Sequence, residues 1–333
     1  MQKVPMTQIE TAKIMAPVTF FIKAIGRGKT LGRHLTYSEA CEAMERVLLG
    51  HFSNAQLGAF LQALRIRELS TEELLAFAEI FYARSLKMPS PEFEPELCVN
   101  LCFDSSRKTN LLTMLCLPLL ESLGIQSGLV CSVFPLTGQS QLITQSLNLA
   151  RVWAQKQGYP CTSLDRICWV PQTVSGLEAL NQVRSEIGFR SCLHTVEKLF
   201  SPWPQALLCT GLSHPQYLDR FLEVLDQVHK GPGVVVLGQH GTIDLSFQKE
   251  TPFYTSAQRT RALSELPEPL KSESAFVTWA HHGKLDDWEK PGALQTDLAQ
   301  KAIALQAGFF LFLCGKVRNT EEGYHVVMRR MNP

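Results

Sequence analysis

A helix-start signal occurs three times in the first third of the chain. In each copy a Ser or Thr precedes a Glu or Gln by three residues, so that the two side chains cap each other's backbone amides. The copies begin at Thr36, Ser53 and Ser70, and apolar residues at helical spacing follow each one. Short connections make such helices pack side by side. The sequence therefore predicts an N-terminal helical domain over residues 1–88.

The pattern changes to alternating strands and helices after Pro89, Pro91 and Pro95. This alternation is typical of an α/β domain with a mostly parallel central sheet. We predict such a domain over residues 96–330, and we expect helices near residues 174–198 to join the helical domain. The predicted strands are 97–103, 129–133, 206–212 and 234–237. The predicted helices are 109–123, 139–157, 215–229, 296–311 and 320–330.

The composition excludes several classes of protein. Of the 333 residues, 45% are hydrophobic and 19% are charged, which indicates a folded chain. The net charge of +1 excludes a globally basic coat protein for nucleic acid, although it allows a local basic patch. No apolar run approaches the roughly 18 residues of a membrane helix, and residues 1–21 lack the apolar centre of a secretion signal. The ten cysteines form no CxxC pair, so we expect reduced thiols, no zinc site and a cytoplasmic location.

The basic residues near the N-terminus form one candidate phosphate site. Between positions 11 and 38 there are five basic residues and no acidic residue. Within this stretch, Arg27 and Lys29 alternate with Gly26 and Gly28. Glycine allows close approach of the backbone to a ligand, and the cations suit phosphate. A solvated helix end followed by a turn explains the same residues equally well.

A second candidate site lies between a predicted strand and a predicted helix. The polar residues Ser105 and Ser106 precede Arg107 and Lys108, and Asn110 lies at the helix start. Ligands of open α/β sheets bind at this position, where the free amides of a helix N-terminus favour anions. Cations are electrostatically unfavourable at a helix start. Arg107 and Lys108 are therefore better explained by phosphate binding than by helix formation alone.

A third group of cations lies between the predicted helix 139–157 and the predicted strand 206–212. Arg190, His194 and Lys198 are spaced by four residues, which would place them on one face of a helix, and Arg184 precedes them. Such a stripe usually faces solvent. It becomes a candidate binding surface if this face lines a cleft between the two domains.

Several segments along the chain share one family pattern: residues 35–40, 61–66, 187–191 and 211–215, and the residues around positions 315 and 322–323. Together they resemble the anthranilate phosphoribosyltransferases and the related class II nucleoside phosphorylases. The resemblance covers nearly the whole chain. It implies a small helical domain, a larger α/β domain of the nucleoside phosphorylase and phosphoribosyltransferase type, a site in the cleft between them, and a homodimer formed through the helical domain.

The motifs that carry the family's chemistry differ in this chain. The family binds diphosphate with a Gly-Thr-Gly-Gly-Asp loop, and of that loop only Asp104 remains within residues 100–104. The family's Lys-His-Gly-Asn-Arg motif corresponds to residues 129–133, which hold no charge and no imidazole. The Asp-Glu pair that binds magnesium corresponds to Ile243 and Asp244, so Asp244 is a vestige of that site. We therefore expect no cofactor, and magnesium only if the protein is an enzyme.

The basic elements that remain make the chain similar to a branch of the family that binds nucleic acid and lacks transferase activity. That branch shares the Ile-Gly-Arg-Gly-Lys, Arg-Lys and Ser-His-Pro elements. The resemblance implies sequence-nonspecific binding of single-stranded DNA or RNA in a basic interdomain cleft, without catalytic residues and without a membrane partner. The phosphate-binding residues would be Arg27, Lys29, Arg107, Lys108, Arg184, Arg190 and Lys198, with Asp104, Ser105, Ser106 and Asn110 in the degenerate loop.

Two other functions fit the same sequence. The first is a phosphoribosyl or glycosyl transferase with an altered substrate, in which Arg107 and Lys108 replace the metal. The second is a structural or regulatory partner protein whose cleft is vestigial. Aromatic residues that could stack on bases are Phe103, Phe134 and Trp203, although packing in the core explains each of them too.

Overall fold

The structure is a computed structural model. It describes residues 16–86, 94–102, 111–132, 139–188, 190–238, 241–245, 251–256, 261–264, 294 and 296–332. No helix among these residues is both long and apolar enough to cross a membrane.

The helical domain begins with five consecutive helices. All three predicted capping boxes are present with both of their hydrogen bonds. In the second box, the Ser53 amide donates to Gln56 at 2.9 Å, and the Gln56 amide donates to Ser53 at 3.3 Å. The helices are α1 (Val18–Gly26), α2 (Gly28–Leu31), α3 (Tyr37–Leu48), α4 (Asn54–Arg67) and α5 (Thr71–Ala83). Helix α1 has no capping side chain, and this explains why the sequence analysis did not predict it.

Large apolar side chains hold these helices together. Helix α1 packs on α4, and α3 packs on α5. Phe21, Phe60, Phe77 and Phe81 are completely buried in the core that the helices share. Burial of a phenylalanine side chain is worth about 1.5–3 kcal/mol. These rings therefore contribute to the stability of the bundle together with the buried aliphatic side chains of the same core.

Residues from later in the chain pack against this bundle. Helix α4 contacts α9 (Asn181–Ile187), and α5 contacts α10 (Leu193–Glu197). Gly176 has a φ of +88°, and a Cβ there would lie 1.9 Å from the carbonyl oxygen of Leu48. Only glycine allows this close approach. The packing agrees with the expectation for residues near 174–198, while the domain boundaries stay a prediction.

The second domain is built on a seven-stranded sheet in the order β3-β2-β1-β4-β5-β6-β7. The first five strands in chain order pair in parallel, and the last two strands join the sheet through antiparallel pairs. The strands are β1 (Leu97–Asn100), β2 (Ser127–Cys131), β3 (Ile167–Trp169), β4 (Leu207–Gly211), β5 (Gly233–Val236), β6 (Thr251–Thr255) and β7 (Arg261–Ser264). The predicted fold class, a helical domain plus an α/β domain with a mostly parallel sheet, is confirmed.

Helices cover the sheet and complete the fold. Gly308 and Gly323 lie at a close crossing of the two C-terminal helices, where a Cβ on Gly323 would lie 2.3 Å from the Gly308 carbonyl oxygen. The predicted helix at 215–229 begins as a 3-10 turn, Pro215–Tyr217. The remaining helices are α6 (Leu111–Ser122), α7 (Gln139–Lys156), α8 (Val170–Thr173), α11 (Leu218–Val228), α12 (Asp297–Leu313) and α13 (Thr320–Met331).

Candidate functional site

A cavity of about 360 Å³ lies where the helical domain meets the carboxyl ends of the central strands. One wall is the end of α4 and the start of α5, and a second wall is the segment 190–198. The third wall is the loop after β4 together with the start of α11. We call this space the interdomain cavity. Its position is the one at which open α/β sheets bind ligands.

The lining of the interdomain cavity is basic. Arg65, Arg190, Lys198 and Arg220 line it, and Glu68 is the one carboxylate among the described lining residues. Arg65 and Arg190 are exposed, and the Arg65 guanidinium donates a hydrogen bond to the Arg190 carbonyl oxygen. This bond joins α4 to the segment before α10. The cavity therefore favours anionic ligands, and both domains contribute to its charge.

Lys198 lies at the buried end of this group. Its side chain is 8% exposed, and its ammonium donates to the Gly211 carbonyl oxygen at 2.8 Å. Burial lowers the pKa of Lys198 to about 8. The lysine is therefore still mostly charged at neutral pH. A bound anion would offset the free energy that its desolvation costs.

Asn100 positions the segment that carries Lys198. Its buried side-chain amide donates to the carbonyl oxygens of Glu197 and Phe200, each at 3.0 Å. Its amide oxygen accepts from the Cys102 backbone amide at 2.9 Å. This network joins the end of β1 to the residues on both sides of Lys198. The sequence gives no signal of this role, although Asn100 stands where the family's diphosphate loop begins.

The structure contradicts the prediction that Arg184 binds phosphate. It is 3% exposed and donates to Glu197 at 2.7 and 3.2 Å, and Glu197 is completely buried. Arg184 also does not line the interdomain cavity. A guanidinium held in this way neutralises a buried carboxylate. It is not available to a phosphate.

The predicted helical stripe is only partly correct. Helix α10 spans Leu193–Glu197, so Arg190 precedes it and Lys198 caps it. Arg190, His194 and Lys198 nevertheless all line the cavity. Burial and the neighbouring charges of Arg184 and Arg190 lower the pKa of His194 well below its ordinary value. His194 is therefore neutral at pH 7 and adds no positive charge.

Aromatic side chains line the mouth of the cavity, and the sequence analysis did not single them out. Tyr217 and His214 meet edge to face with their ring centroids 6.0 Å apart. The Arg220 guanidinium lies over the Tyr217 ring, 5.7 Å from its centroid. The signal in the sequence is the Ser-His-Pro element, because Pro215 starts the 3-10 turn that carries Tyr217. By contrast, Trp203 is 6% exposed and packs on β2 at Gly128, which assigns it to the core.

Glu68 has an unusual backbone conformation at the same mouth. Its φ is 63° and its ψ is 152°, a combination that only glycine adopts readily. Its carboxylate accepts a hydrogen bond of 2.5 Å from the Tyr217 hydroxyl. Strain of this kind persists only where surrounding contacts impose it, and it is concentrated at functional sites.

The two other predicted groups of cations are described only in part. Arg27 is exposed at the end of α1, and α1 packs on α4, which carries Arg65. Lys29 belongs to α2, and its side chain lies outside the described residues. The degenerate loop and the adjacent cations also lie outside the described residues: Asp104, Ser105, Ser106, Arg107, Lys108 and Asn110, with Phe103 and Phe134.

The residues at the family's magnesium position do not fit a metal. Ile243 is completely buried in the apolar core and has no ligand atom. Asp244 accepts a hydrogen bond of 2.7 Å from the Thr113 hydroxyl, and burial raises its pKa to about 6. Magnesium prefers several carboxylate, phosphate or water oxygens. No group of three potential metal ligands occurs among the described residues.

Comparison with known proteins agrees with this architecture. Residues 21–85 match the family model described as the glycosyl transferase family, helical bundle domain. The chain is 29% identical over 234 residues to the Escherichia coli protein named uncharacterized protein YbiB. The aligned region covers 66% of this chain and 69% of YbiB. The chain is also 24% identical over 222 residues to the anthranilate phosphoribosyltransferase of Brevibacillus brevis. This aligned region covers 65% of this chain and 64% of that enzyme.

A solved structure extends the likeness to the whole fold. Anthranilate phosphoribosyltransferase from Thermus thermophilus superposes with a TM-score of 0.63 at 20% identity, covering 95% of this chain and 94% of that one. The helical bundle, the relatives and the shared architecture all point to one group of proteins. The chain therefore resembles the anthranilate phosphoribosyltransferases: residues 21–85 match the helical bundle domain of the glycosyl transferase family, and the described residues share the fold of the solved enzyme.

Proposed function

We propose that the protein binds single-stranded DNA or RNA in the interdomain cavity and along its mouth, without preference for base sequence. The proposal rests on one observation. Four basic side chains from both domains surround the cavity, and Glu68 is the one carboxylate among the described lining residues. Phosphate groups dominate the affinity of proteins for nucleic acids. A local concentration of cations serves this purpose even in a chain whose net charge is +1.

The mouth of the cavity also offers a surface for bases. Tyr217 and His214 are partly or fully exposed, and Arg220 lies over the Tyr217 ring. Stacking of a base on an aromatic side chain is worth about 1–3 kcal/mol and does not depend on which base is present. Cations and an aromatic ring side by side are the two features that nonspecific single-strand sites combine.

The magnesium position supports binding without the family's transfer reaction. Transfer from phosphoribosyl pyrophosphate needs stabilisation of a leaving diphosphate. Here Ile243 is buried and Asp244 is hydrogen-bonded to Thr113, so neither residue supplies a metal site for that group. Relatives that carry no enzyme name, such as YbiB and a protein of Aquifex aeolicus, are consistent with this divergence.

We further propose a homodimer formed through the helical domain. Leu31 and Ile66 are 76% and 70% exposed on α2 and α4, and apolar side chains of this size are favoured at interfaces between subunits. A dimer would present two cavities to one strand and increase the apparent affinity. Light scattering measures the mass in solution and tests this directly. The cytoplasmic location also stays a prediction.

A single substitution in the cavity tests the nucleic-acid proposal. Arg190→Ala removes an exposed cation from the lining, and we expect it to weaken binding of a labelled single strand about tenfold. Arg329→Ala is the matched control, because Arg329 is an exposed arginine on α13 outside the cavity. Fluorescence anisotropy measures both affinities. Equal affinities of the two variants and the wild type would contradict the proposed site.

A transferase with an altered substrate is the second candidate. The observation in its favour is the finite size of the cavity, about 360 Å³, which lies in the range of small-molecule sites. Relatives named anthranilate phosphoribosyltransferase support the same candidate. Calorimetry with phosphoribosyl pyrophosphate and magnesium tests it. Micromolar binding there, without binding of single strands, would favour the transferase.

A further inference from the structure

The interdomain cavity has an exposed mouth and a buried floor. Its exposed lining residues, which include Arg65, Arg190 and His214, form the mouth. Among the described residues, the buried side chains of Leu64, Leu74, Cys102 and Phe221 line the floor. A ligand that reaches from the mouth to the floor therefore contacts exposed groups at one end and buried groups at the other.

The floor also holds Lys198, which has no carboxylate partner among the described residues. The Lys198 ammonium has three donors, and the Gly211 carbonyl oxygen is the acceptor that the described residues supply. The neighbouring carboxylate of Glu197 is bound to Arg184. A buried charge is costly unless an opposite charge or several hydrogen bonds stabilise it. A ligand that brings negative charge to the floor would provide both.

Hydroxyl groups in the lining of the same cavity add further hydrogen-bond donors. Ser191, Thr195 and Ser213 line the cavity. The Ser191 hydroxyl is buried and has no hydrogen-bond partner among the described residues. A phosphate monoester near pH 7 carries a charge of about −1.5 to −2 and has three acceptor oxygens. A phosphodiester inside a strand carries a single charge, so the monoester matches this floor better.

We propose that the interdomain cavity receives the phosphate monoester at the end of a nucleic-acid strand, with Lys198 as its main contact and Arg190 and Ser191 beside it. This inference rests on the proposed function, since it specifies which part of a strand the same site takes. A 5′-phosphate and a 3′-phosphate present the same chemistry to the floor. The rest of the strand would leave through the mouth, past Tyr217.

A competition experiment tests the inference. A labelled single strand of about 12 nucleotides is bound first. Unlabelled strands of the same sequence then compete with a 5′-phosphate, a 3′-phosphate, or hydroxyl groups at both ends, and a ligated circle has no end at all. We expect strands with a 5′-phosphate or a 3′-phosphate to compete about tenfold more strongly than the hydroxyl-ended strand, because charge-assisted hydrogen bonds replace solvation at the floor. The circle should compete no better than the hydroxyl-ended strand.

Single substitutions test which side chain binds the terminal phosphate. Lys198→Met should bind phosphorylated and hydroxyl-ended strands equally, and Ser191→Ala should reduce the preference several-fold. Lys156→Met, on the exposed end of α7, should keep the wild-type preference. Thermal unfolding checks that each variant is folded.

The outcomes separate the two proposals. Equal competition by all strands with the wild type, or a preference that persists in Lys198→Met, would overturn end binding while nucleic-acid binding stands. Failure of every strand to bind would overturn both proposals.

Discussion

Two buried cations near α10 differ in the partner that stabilises their charge. Arg184 is paired with Glu197 at 2.7 Å, and both side chains are almost completely buried. Lys198 is 8% exposed and has a backbone carbonyl oxygen as its partner. The first cation is satisfied within the protein. The second keeps donors for a ligand, and its charge is a cost to the unliganded fold.

Substitutions of these two residues should differ in their effect on stability. We expect Arg184→Met to lower the free energy of unfolding by about 3–5 kcal/mol, because it leaves the Glu197 carboxylate buried without a partner. The double variant Arg184→Met/Glu197→Leu should recover most of this loss. We expect Lys198→Met to change stability by less than about 1 kcal/mol at pH 7, because the lost hydrogen bond and the removed desolvation cost offset each other. Urea denaturation measures all three, and a large loss in Lys198→Met would make that lysine structural.

Asp244 gives a prediction about pH. Burial raises its pKa from 3.8 to about 6, so the folded state binds more protons than the unfolded state between these values. The contribution of Asp244 to stability therefore falls as the pH rises from about 4 to 6. We expect Asp244→Asn to lack this component and to be more stable than the wild type at pH 7 by about 1–3 kcal/mol. Thermal unfolding between pH 4 and 7 measures the difference.

A metal at Asp244 would give the opposite result. Magnesium would then raise the unfolding temperature of the wild type, and Asp244→Asn would abolish that increase. Thr113→Val is the control, because it removes the hydrogen bond to Asp244 and keeps the carboxylate.

The sequence predicted which residue types would line the site, but it could not predict their pairing. The spacing of Arg190 and Lys198 marked them as a group, and both line the interdomain cavity, while their role in binding stays a prediction. Arg184 carries the same charge in the same stretch, yet it is held by Glu197. Side-chain burial depends on contacts between distant segments. Spacing along the chain therefore cannot distinguish a cation that neutralises a buried carboxylate from one that lines the cavity.

At the scale of elements, explicit start signals were predicted best. The three capping boxes place the starts of α3, α4 and α5 within one residue, because a capping side chain acts on its own backbone. Helix α10 is only five residues long, so the helical spacing of Arg190, His194 and Lys198 overstated its length. Strand β3 has only three residues, and the sequence pattern did not predict it. Short elements depend on tertiary packing more than on local pattern.

The 3-10 turn that carries Tyr217 leads to a prediction about bases. We expect Tyr217→Ala to weaken single-strand binding about tenfold, because a stacking ring at the mouth of the cavity is lost. Tyr217→Phe should bind at least as well as the wild type, because it keeps the ring and removes only the hydrogen bond to Glu68. Anisotropy measures both affinities. If the two variants lose affinity equally, the hydroxyl group and not the ring is what matters.

At the scale of the molecule, the site exists only because three separate parts of the chain meet. The end of α4, the segment 190–198 and the start of α11 are distant in sequence and surround one cavity. The sequence patterns predicted the two domains, and the resemblance to a family implied a cleft between them. Neither could show which side chains line the cavity, because Asn100 fixes the segment around Lys198 through contacts between distant parts of the chain.

The central claim is that this cleft binds single strands through their phosphates. The most direct test is the anisotropy of a labelled single strand across a salt series, repeated with strands of different base sequence. If the four cations of the cavity each neutralise one phosphate, the logarithm of the association constant should fall against the logarithm of salt concentration with a slope of about −3, whatever the bases. Arg190→Ala should make this slope less steep by about 0.7. No binding at low salt, or binding that does not respond to salt, would contradict the account.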